Sequence, residues 1–207
     1  MAKPFLTDEA KRALTDSVRD VEAVSSAELV VAVRARSGSY LHADLTAGIL
    51  AGLFTLAVLL FSDWEFGLVW FVIDPLLAGL LVGWISSWAP GLRRALTSAA
   101  DRRQHAEAAA RALFVEKRVH GTAGRTGMLL YVSLLEREAL IVPDVGLEPL
   151  AATPAWKEAV AAIETAVRER EDGVQVAQRI RSLGSLLAPV LPRADDDVDE
   201  LANEVCE

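Results

Sequence analysis

Three carboxylates and one arginine stand at positions where they could take part in chemistry. Glu22 and Glu28 flank the start of the first strand-like segment, Asp144 follows the third such segment, and Arg125 and Thr126 precede the second. Carboxylate oxygens are the ligands that Ca²⁺ and Mg²⁺ prefer in proteins, and carboxyl groups also act as general acids and bases. An arginine guanidinium binds phosphate through paired N–H donors. The sequence therefore predicts Ca²⁺ or Mg²⁺ ligands at Glu22, Glu28 and Asp144, with Arg125 and Thr126 as contacts for phosphate.

The elements that must position these side chains follow from the apolar pattern. Apolar residues at helical spacing predict helices, and short runs of branched apolar residues predict buried strands. The expected order is a helix over about Asp8–Ala23, a strand at Glu28–Arg34, a membrane segment at Leu45–Trp88, a long helix from Thr97 or Ser98 to about Lys117, strands at Met128–Ser133 and Arg137–Val142, and two helices marked by Trp156–Val167 and Val176–Leu187.

This order predicts a compact α/β/α sandwich with a small mixed sheet of about three or four strands. The first two strands are joined by a crossover helix and should be parallel, whereas the short connection between the second and third makes those two antiparallel. The five candidate residues, with Ser25 and Ser26, then converge on one end of the sheet, which we expect to be distal to the membrane. In the alternative interpretation Glu28 pairs with Arg125, and the hydroxyl groups bind exposed helix and strand ends.

The membrane segment is an apolar stretch whose pattern predicts two helices. Leu45–Phe61 carries no charge, and at about 1.5 Å of rise per residue it is just long enough to cross a bilayer core. Phe66–Trp88 forms the second apolar run. Glycines four residues apart in each run allow close backbone packing within the pair or, alternatively, between copies in a homo-oligomer: Gly48, Gly52, Gly79 and Gly83.

Asp74 is the one carboxylate within the second apolar run and is followed by Pro75. Because Asp is a common N-cap and Pro a common first helical residue, the pair predicts a helix that begins at Pro75. The alternative is that Asp74 faces the interior of a kinked span as an ion or proton site.

The charges suggest an orientation and a domain division. Arg34, Arg36, Arg93 and Arg94 flank the outer ends of the apolar stretch, so the positive-inside rule places both termini and the soluble domain on the cytoplasmic side of a bacterial inner membrane. We expect a discontinuous α/β domain at 1–41 and 89–192, a transmembrane hairpin at 42–88 and an acidic tail at 193–207. A single cysteine, Cys206, is compatible with a reducing compartment, and the net charge of −8 argues against a nucleic-acid partner.

The ordered motifs together resemble bacterial membrane proteins that carry a TPM domain. The residues that carry the resemblance are Glu22 with Ser25-Ser26-Ala27-Glu28, Ala110 and Phe114 on the long helix, Arg125-Thr126-Gly127, Glu136-Arg137, Ile141-Val142-Pro143-Asp144, and Pro192 before Asp199-Glu200-Leu201-Ala202-Asn203. The resemblance implies a compact α/β/α domain. Relatives in thylakoids are described as acid phosphatases, some members bind divalent cations, and an animal member is a receptor accessory protein.

Two functional hypotheses follow from the residues and the resemblance. In the first, the chain is a membrane-anchored interaction or accessory module that binds a membrane or cytosolic protein and has divalent-cation binding as a further property. In the second, it is a metal-dependent acid phosphatase at the membrane surface, with Glu22, Glu28 and Asp144 on the metal and Arg125 on the phosphate.

Overall fold

The computed structural model describes residues 5–193, 200–201 and 205–206. The predicted acidic tail therefore falls largely outside the described residues. Contacts divide the chain into two compact units, Met1–Ser37 with Arg103–Glu207, and Gly38–Arg102. The described helices are α1 (Asp8–Glu22), α2 (Leu41–Phe61), α3 (Trp70–Ser86), α4 (Pro90–Ala95), α5 (Ala99–Glu116), α6 (Glu148–Ala151), α7 (Pro154–Arg168) and α8 (Gly173–Leu187), and the strands are β1 (Glu28–Arg34), β2 (Gly127–Ser133) and β3 (Glu138–Pro143).

The first unit contains the small mixed sheet that the sequence predicts. Its strand order is β1-β2-β3. β1 runs parallel to β2, with Glu28 opposite Gly127, and β3 runs antiparallel to β2, with Met128 opposite Pro143. The parallel pair requires a long connection and the antiparallel pair only a tight turn, and the spacing of the three apolar runs meets both conditions.

Helices cover both faces of the sheet. Side chains of α1, α7 and α8 pack with Leu29, Val31 and Val33 of β1 in one buried cluster. The intervening residues Val30 and Ala32 pack with α5 in a second cluster on the other face. Successive side chains of a strand point to opposite faces, so a strand buried on both faces must be apolar throughout, as the run in β1 is.

The second unit contains α2 and α3, which approach each other closely. A Cβ atom added at Gly48 would lie 2.7 Å from the carbonyl oxygen of Gly79, and one added at Gly79 would lie 2.9 Å from that of Gly48. The backbones can come this close only because neither residue has a side chain. Among the described helices, α2 alone has both the length and the apolar composition of a membrane span, whereas α3 is apolar but has 17 residues.

The prediction of a helix that begins at Pro75 is wrong. Helix α3 begins at Trp70, so Pro75 lies in its second turn. Proline is favoured at the first helical position because the first four N–H groups lack partners inside the helix. At Pro75 the missing N–H instead leaves the carbonyl of Phe71 without its usual donor. The start at Trp70 places Asp74 inside the helix rather than at its cap.

Candidate functional site

The predicted site residues meet at one end of the sheet, where β1 and β2 begin and β3 ends. The backbone N–H of Glu28 donates to the carbonyl of Thr126 (3.3 Å), and the N–H of Asp144 donates to the carbonyl of Gly127 (2.8 Å). The Thr126 hydroxyl donates to the carbonyl of Ser26 at 2.9 Å. These bonds hold the loop before β2 against the segments that precede β1 and follow β3.

Glu22 and Glu28 are both buried at this end, and backbone amides bind their carboxylates. Oε1 of Glu22 accepts a hydrogen bond from the N–H of Leu29 at 3.1 Å. The two oxygens of Glu28 accept from the N–H groups of Glu200 and Leu201, each at 3.3 Å. Hydrogen bonds from backbone amides to a carboxylate stabilise its charge and compensate for the water it loses on burial.

Asp144 binds Arg125 on the other side of the same end. Arg125 Nη2 donates a hydrogen bond to Oδ1 of Asp144 at 3.1 Å, and the charged guanidinium forms an ion pair with the other oxygen, with Nε 2.9 Å from Oδ2. The carboxylate also accepts from the N–H of Val145 at 2.9 Å. The Asp144 side chain is 3% exposed and that of Arg125 52% exposed. One face of the arginine is therefore accessible to solvent or to a partner.

The loop that carries Arg125 is fixed by backbone contacts. Arg125 has a left-handed backbone conformation with φ of 55°. The N–H of Gly146 donates to the carbonyl of Arg125 at 2.9 Å, and a Cβ atom at Gly146 would lie 2.6 Å from that oxygen. A residue with a side chain at position 146 would therefore push the two loops apart.

The three predicted metal ligands do not form a metal site in this structure. Within residues 5–193, 200–201 and 205–206, no three His, Cys, Asp or Glu side chains are grouped in a way that could hold a metal ion. Glu22, Glu28 and Asp144 instead accept hydrogen bonds from the protein itself. Metal binding by these residues remains a prediction.

A second polar cluster, which was not predicted from the sequence, lies at the opposite end of the sheet. The Ser37 hydroxyl is 2.9 Å from the Tyr131 hydroxyl and 2.6 Å from that of Ser133. Ser133 donates to Glu136, whose other oxygen accepts from the N–H of Ser37 at 2.8 Å. Burial raises the pKa of Tyr131. The spacing of Ser133 and Glu136 across a tight turn is the signal that could have indicated this contact.

A largely buried ion pair in the second unit was not predicted from the sequence either. Arg93 donates to Asp44 through Nε (3.0 Å) and Nη2 (2.6 Å), and Ser86 donates to the same carboxylate at 2.9 Å. Both charged side chains are 12% exposed. Asp44 directly precedes the uncharged run and Arg93 follows the second one, so opposite charges at the two outer ends of the apolar stretch were the available signal.

Comparison with known proteins supports the fold. No family model and no curated protein matches the chain. The structure is similar to the NMR structure of the BA42 protein from the psychrophilic bacterium Bizionia argentinensis, with a TM-score of 0.58 and 20% sequence identity over 99% of this chain and 96% of that one. At this identity the likeness is evidence for a shared fold and carries no activity with it.

Proposed function

We propose that the protein is a membrane-anchored domain protein in which α2 and α3 form the anchor and the α/β unit is an interaction or accessory module. The observation that carries the proposal is the exposure of large apolar side chains around both helices. Phe54 is 71% exposed, Phe61 88% and Leu80 69%. Soluble monomers rarely expose contiguous apolar surface on this scale, whereas a bilayer would cover it.

The ends of the apolar stretch fit such an anchor. Because Asp44 and Arg93 pair with each other, the charge of each is neutralised where the stretch begins and ends. Helix α3 has 17 residues, or roughly 25 Å at 1.5 Å per residue. It could cross the bilayer if the membrane thinned locally or if the apolar residues before Trp70 extended the span. The excess of arginine at the outer ends supports cytoplasmic termini in a bacterial inner membrane.

The α/β unit suits the role of a binding module better than that of an enzyme. Three layers with a small mixed sheet agree with what the resemblance to TPM-domain proteins implies. The carboxylates that could bind a metal ion accept hydrogen bonds from donors of the protein itself. The Ser133 hydroxyl, which donates to the Glu136 carboxylate, is fully buried, so a substrate does not reach it. An interaction module requires only an exposed surface, and the half-exposed guanidinium of Arg125 provides a charged group on that surface.

Membrane fractionation of the full chain tests the anchor. After expression in bacteria, membranes are washed with alkaline carbonate, which removes proteins that lie on the surface and leaves inserted ones. We expect the chain to stay in the membrane pellet and to be released by detergent. Recovery of the chain in the soluble fraction, without aggregation, would contradict the proposal.

Divalent-cation binding and acid phosphatase activity remain the second hypothesis, with Ca²⁺ or Mg²⁺ as the ion. The test is calorimetric titration of each ion into the full chain in detergent, followed by assay of phosphate release from a generic phosphomonoester. Binding that disappears in Asp144→Asn, with turnover that disappears in the same variant, would support the enzyme. Binding without turnover would support the module with a structural ion.

A further inference from the structure

The outer edge of β1 is occupied by residues from the far end of the chain. β1 is an edge strand of the sheet. The N–H of Cys206 donates to the carbonyl of Val31 at 2.9 Å, and the N–H of Val33 donates to the carbonyl of Cys206 at 2.8 Å. Cys206 thereby pairs with Ala32 in a parallel bridge. The backbone N–H and C=O groups at the free edge of a strand can pair with another extended chain, and here Cys206 forms such hydrogen bonds.

The neighbouring side chains show that this contact has the geometry of an added strand. Cys206 packs against the buried cluster that contains Ala32. Val205 packs against the cluster on the other face of the sheet, which contains Val31 and Val33. Consecutive side chains of a β-strand point to opposite faces, and residues 205 and 206 do so where Cys206 forms its bridge beside β1.

Glu28 supplies a second contact for the same stretch of chain. Its carboxylate accepts hydrogen bonds from the N–H groups of Glu200 and Leu201. Glu200 in turn accepts from the N–H of Ala123 in the loop before β2, at 3.0 and 3.1 Å. Leu201 packs on the cluster of the α5 face. The carboxylate at the beginning of β1 and the edge of β1 therefore bind one segment at two points.

We propose that Glu28 and the outer edge of β1 form a binding site for an extended peptide, which residues 200–201 and 205–206 of the same chain occupy in this structure and which the same stretch of a second copy can fill in exchange. The inference deepens the proposed interaction module and rests on it. Main-chain groups of the segment make the bonds at both points, as in recognition by strand addition. A segment bound at the edge of a sheet opens locally at a lower free energy than the core, and an identical segment can replace it without new contacts.

A disulfide trap in the full chain tests whether the segment occupies β1. Because Cys206 is the one cysteine of the sequence, Ala32→Cys creates a single pair. The two residues are partners in a β-bridge, which brings their Cα atoms as close as a disulfide requires. We expect mild oxidation in detergent to give an intramolecular disulfide, seen as faster migration on a non-reducing gel. Ala139→Cys is the matched control, because Ala139 is also a buried strand alanine but lies on β3 at the other edge. Equal trapping in both variants, or none in Ala32→Cys, would overturn the site.

Peptide exchange tests whether the site accepts a second copy of the segment. The probe is a fluorescein-labelled peptide with the sequence of residues 200–207 and C206S, and its anisotropy is followed as full-length protein is added. We expect saturable binding to the reduced Ala32→Cys protein, at least tenfold weaker binding after oxidation, and no effect of oxidation on the Ala139→Cys protein. In the wild-type background, Glu28→Gln should weaken binding about tenfold, because a neutral amide is the weaker acceptor. Binding that is absent from the reduced protein, or that survives the disulfide, would refute exchange at β1.

These measurements are independent of the membrane anchor. They are made on detergent-solubilised protein, so a chain that fails to bind the peptide can still be found in the membrane pellet. A chain that is absent from the pellet can still bind the peptide.

Discussion

Charges placed in the middle of α2 should prevent the chain from inserting into membranes. Leu50 is the tenth of the 21 residues of α2 and is 56% exposed, and Phe54, one turn further along, is 71% exposed. Replacing both by lysine changes two side chains that point away from the protein. If lipid surrounds α2, the substitutions place two ammonium groups near the centre of the bilayer.

The size of the effect follows from the composition of α2. The helix contains seven Leu, one Ile, one Val and two Phe, each contributing about −0.3 to −0.6 kcal/mol to insertion, or roughly −3 to −7 kcal/mol together. Each lysine near the centre contributes about +2.5 to +3.5 kcal/mol, and two apolar contributions are lost. The double substitution should therefore cost about 6 to 8 kcal/mol, as much as the apolar side chains of the helix supply.

The assay is the fraction of full-length protein that remains in membranes after an alkaline carbonate wash. We expect most of the wild type and little of Leu50→Lys/Phe54→Lys to remain. Val115→Lys/Val190→Lys is the matched control, because these valines of the α/β unit are also 62% and 56% exposed. In water, exposed substitutions of this kind change stability by only about 0.5 kcal/mol, so the control should partition like the wild type. If Leu50→Lys/Phe54→Lys also partitions like the wild type, lipid does not surround α2.

Three further outcomes are expected. Ile180→Ala removes a fully buried side chain of the main core cluster and should lower the free energy of unfolding by about 2–5 kcal/mol, measured by urea denaturation in detergent; an effect under 0.5 kcal/mol would contradict the packing described. Asp44→Ala leaves the largely buried guanidinium of Arg93 without its carboxylate and should cost about 1–3 kcal/mol, seen as a lower Tm, whereas exposed Asp63→Ala should not change the Tm. In a C206S background, Ser62→Cys should react with a membrane-impermeant maleimide in intact cells if the connection between α2 and α3 lies outside the cytoplasm; protection until lysis would contradict that topology.

The sheet and its order could be predicted from the sequence because the determining signals are local. Continuous apolar runs mark β1 and β2, and the length of each connection decides whether neighbouring strands are parallel or antiparallel. The observed β1 begins at Glu28 and ends at Arg34, where the sequence predicts. The same topology places the five candidate residues at one end of the sheet without knowledge of any contact.

The partners of those residues could not be predicted. Arg125 binds Asp144 from a left-handed backbone conformation, and nothing in the sequence marks an arginine for that conformation. The start of α3 at Trp70 was missed for a related reason. Proline prefers the first position of a helix, but it is also found inside a helix when the packing of the whole helix stabilises it by more than the loss of one hydrogen bond costs.

The sequence by itself determined the order of the main helices and strands, which end of the sheet collects the polar residues, and which stretch is the most apolar. These properties depend on periodicity and composition over neighbouring residues. Only the tertiary structure decided that Glu28 binds the backbone of residues 200 and 201 and that Cys206 pairs with Ala32. Those contacts join residues more than 170 positions apart. In each of them residues 200, 201 and 206 take part through main-chain groups, which nearly every residue has, so their side chains leave no pattern in the sequence.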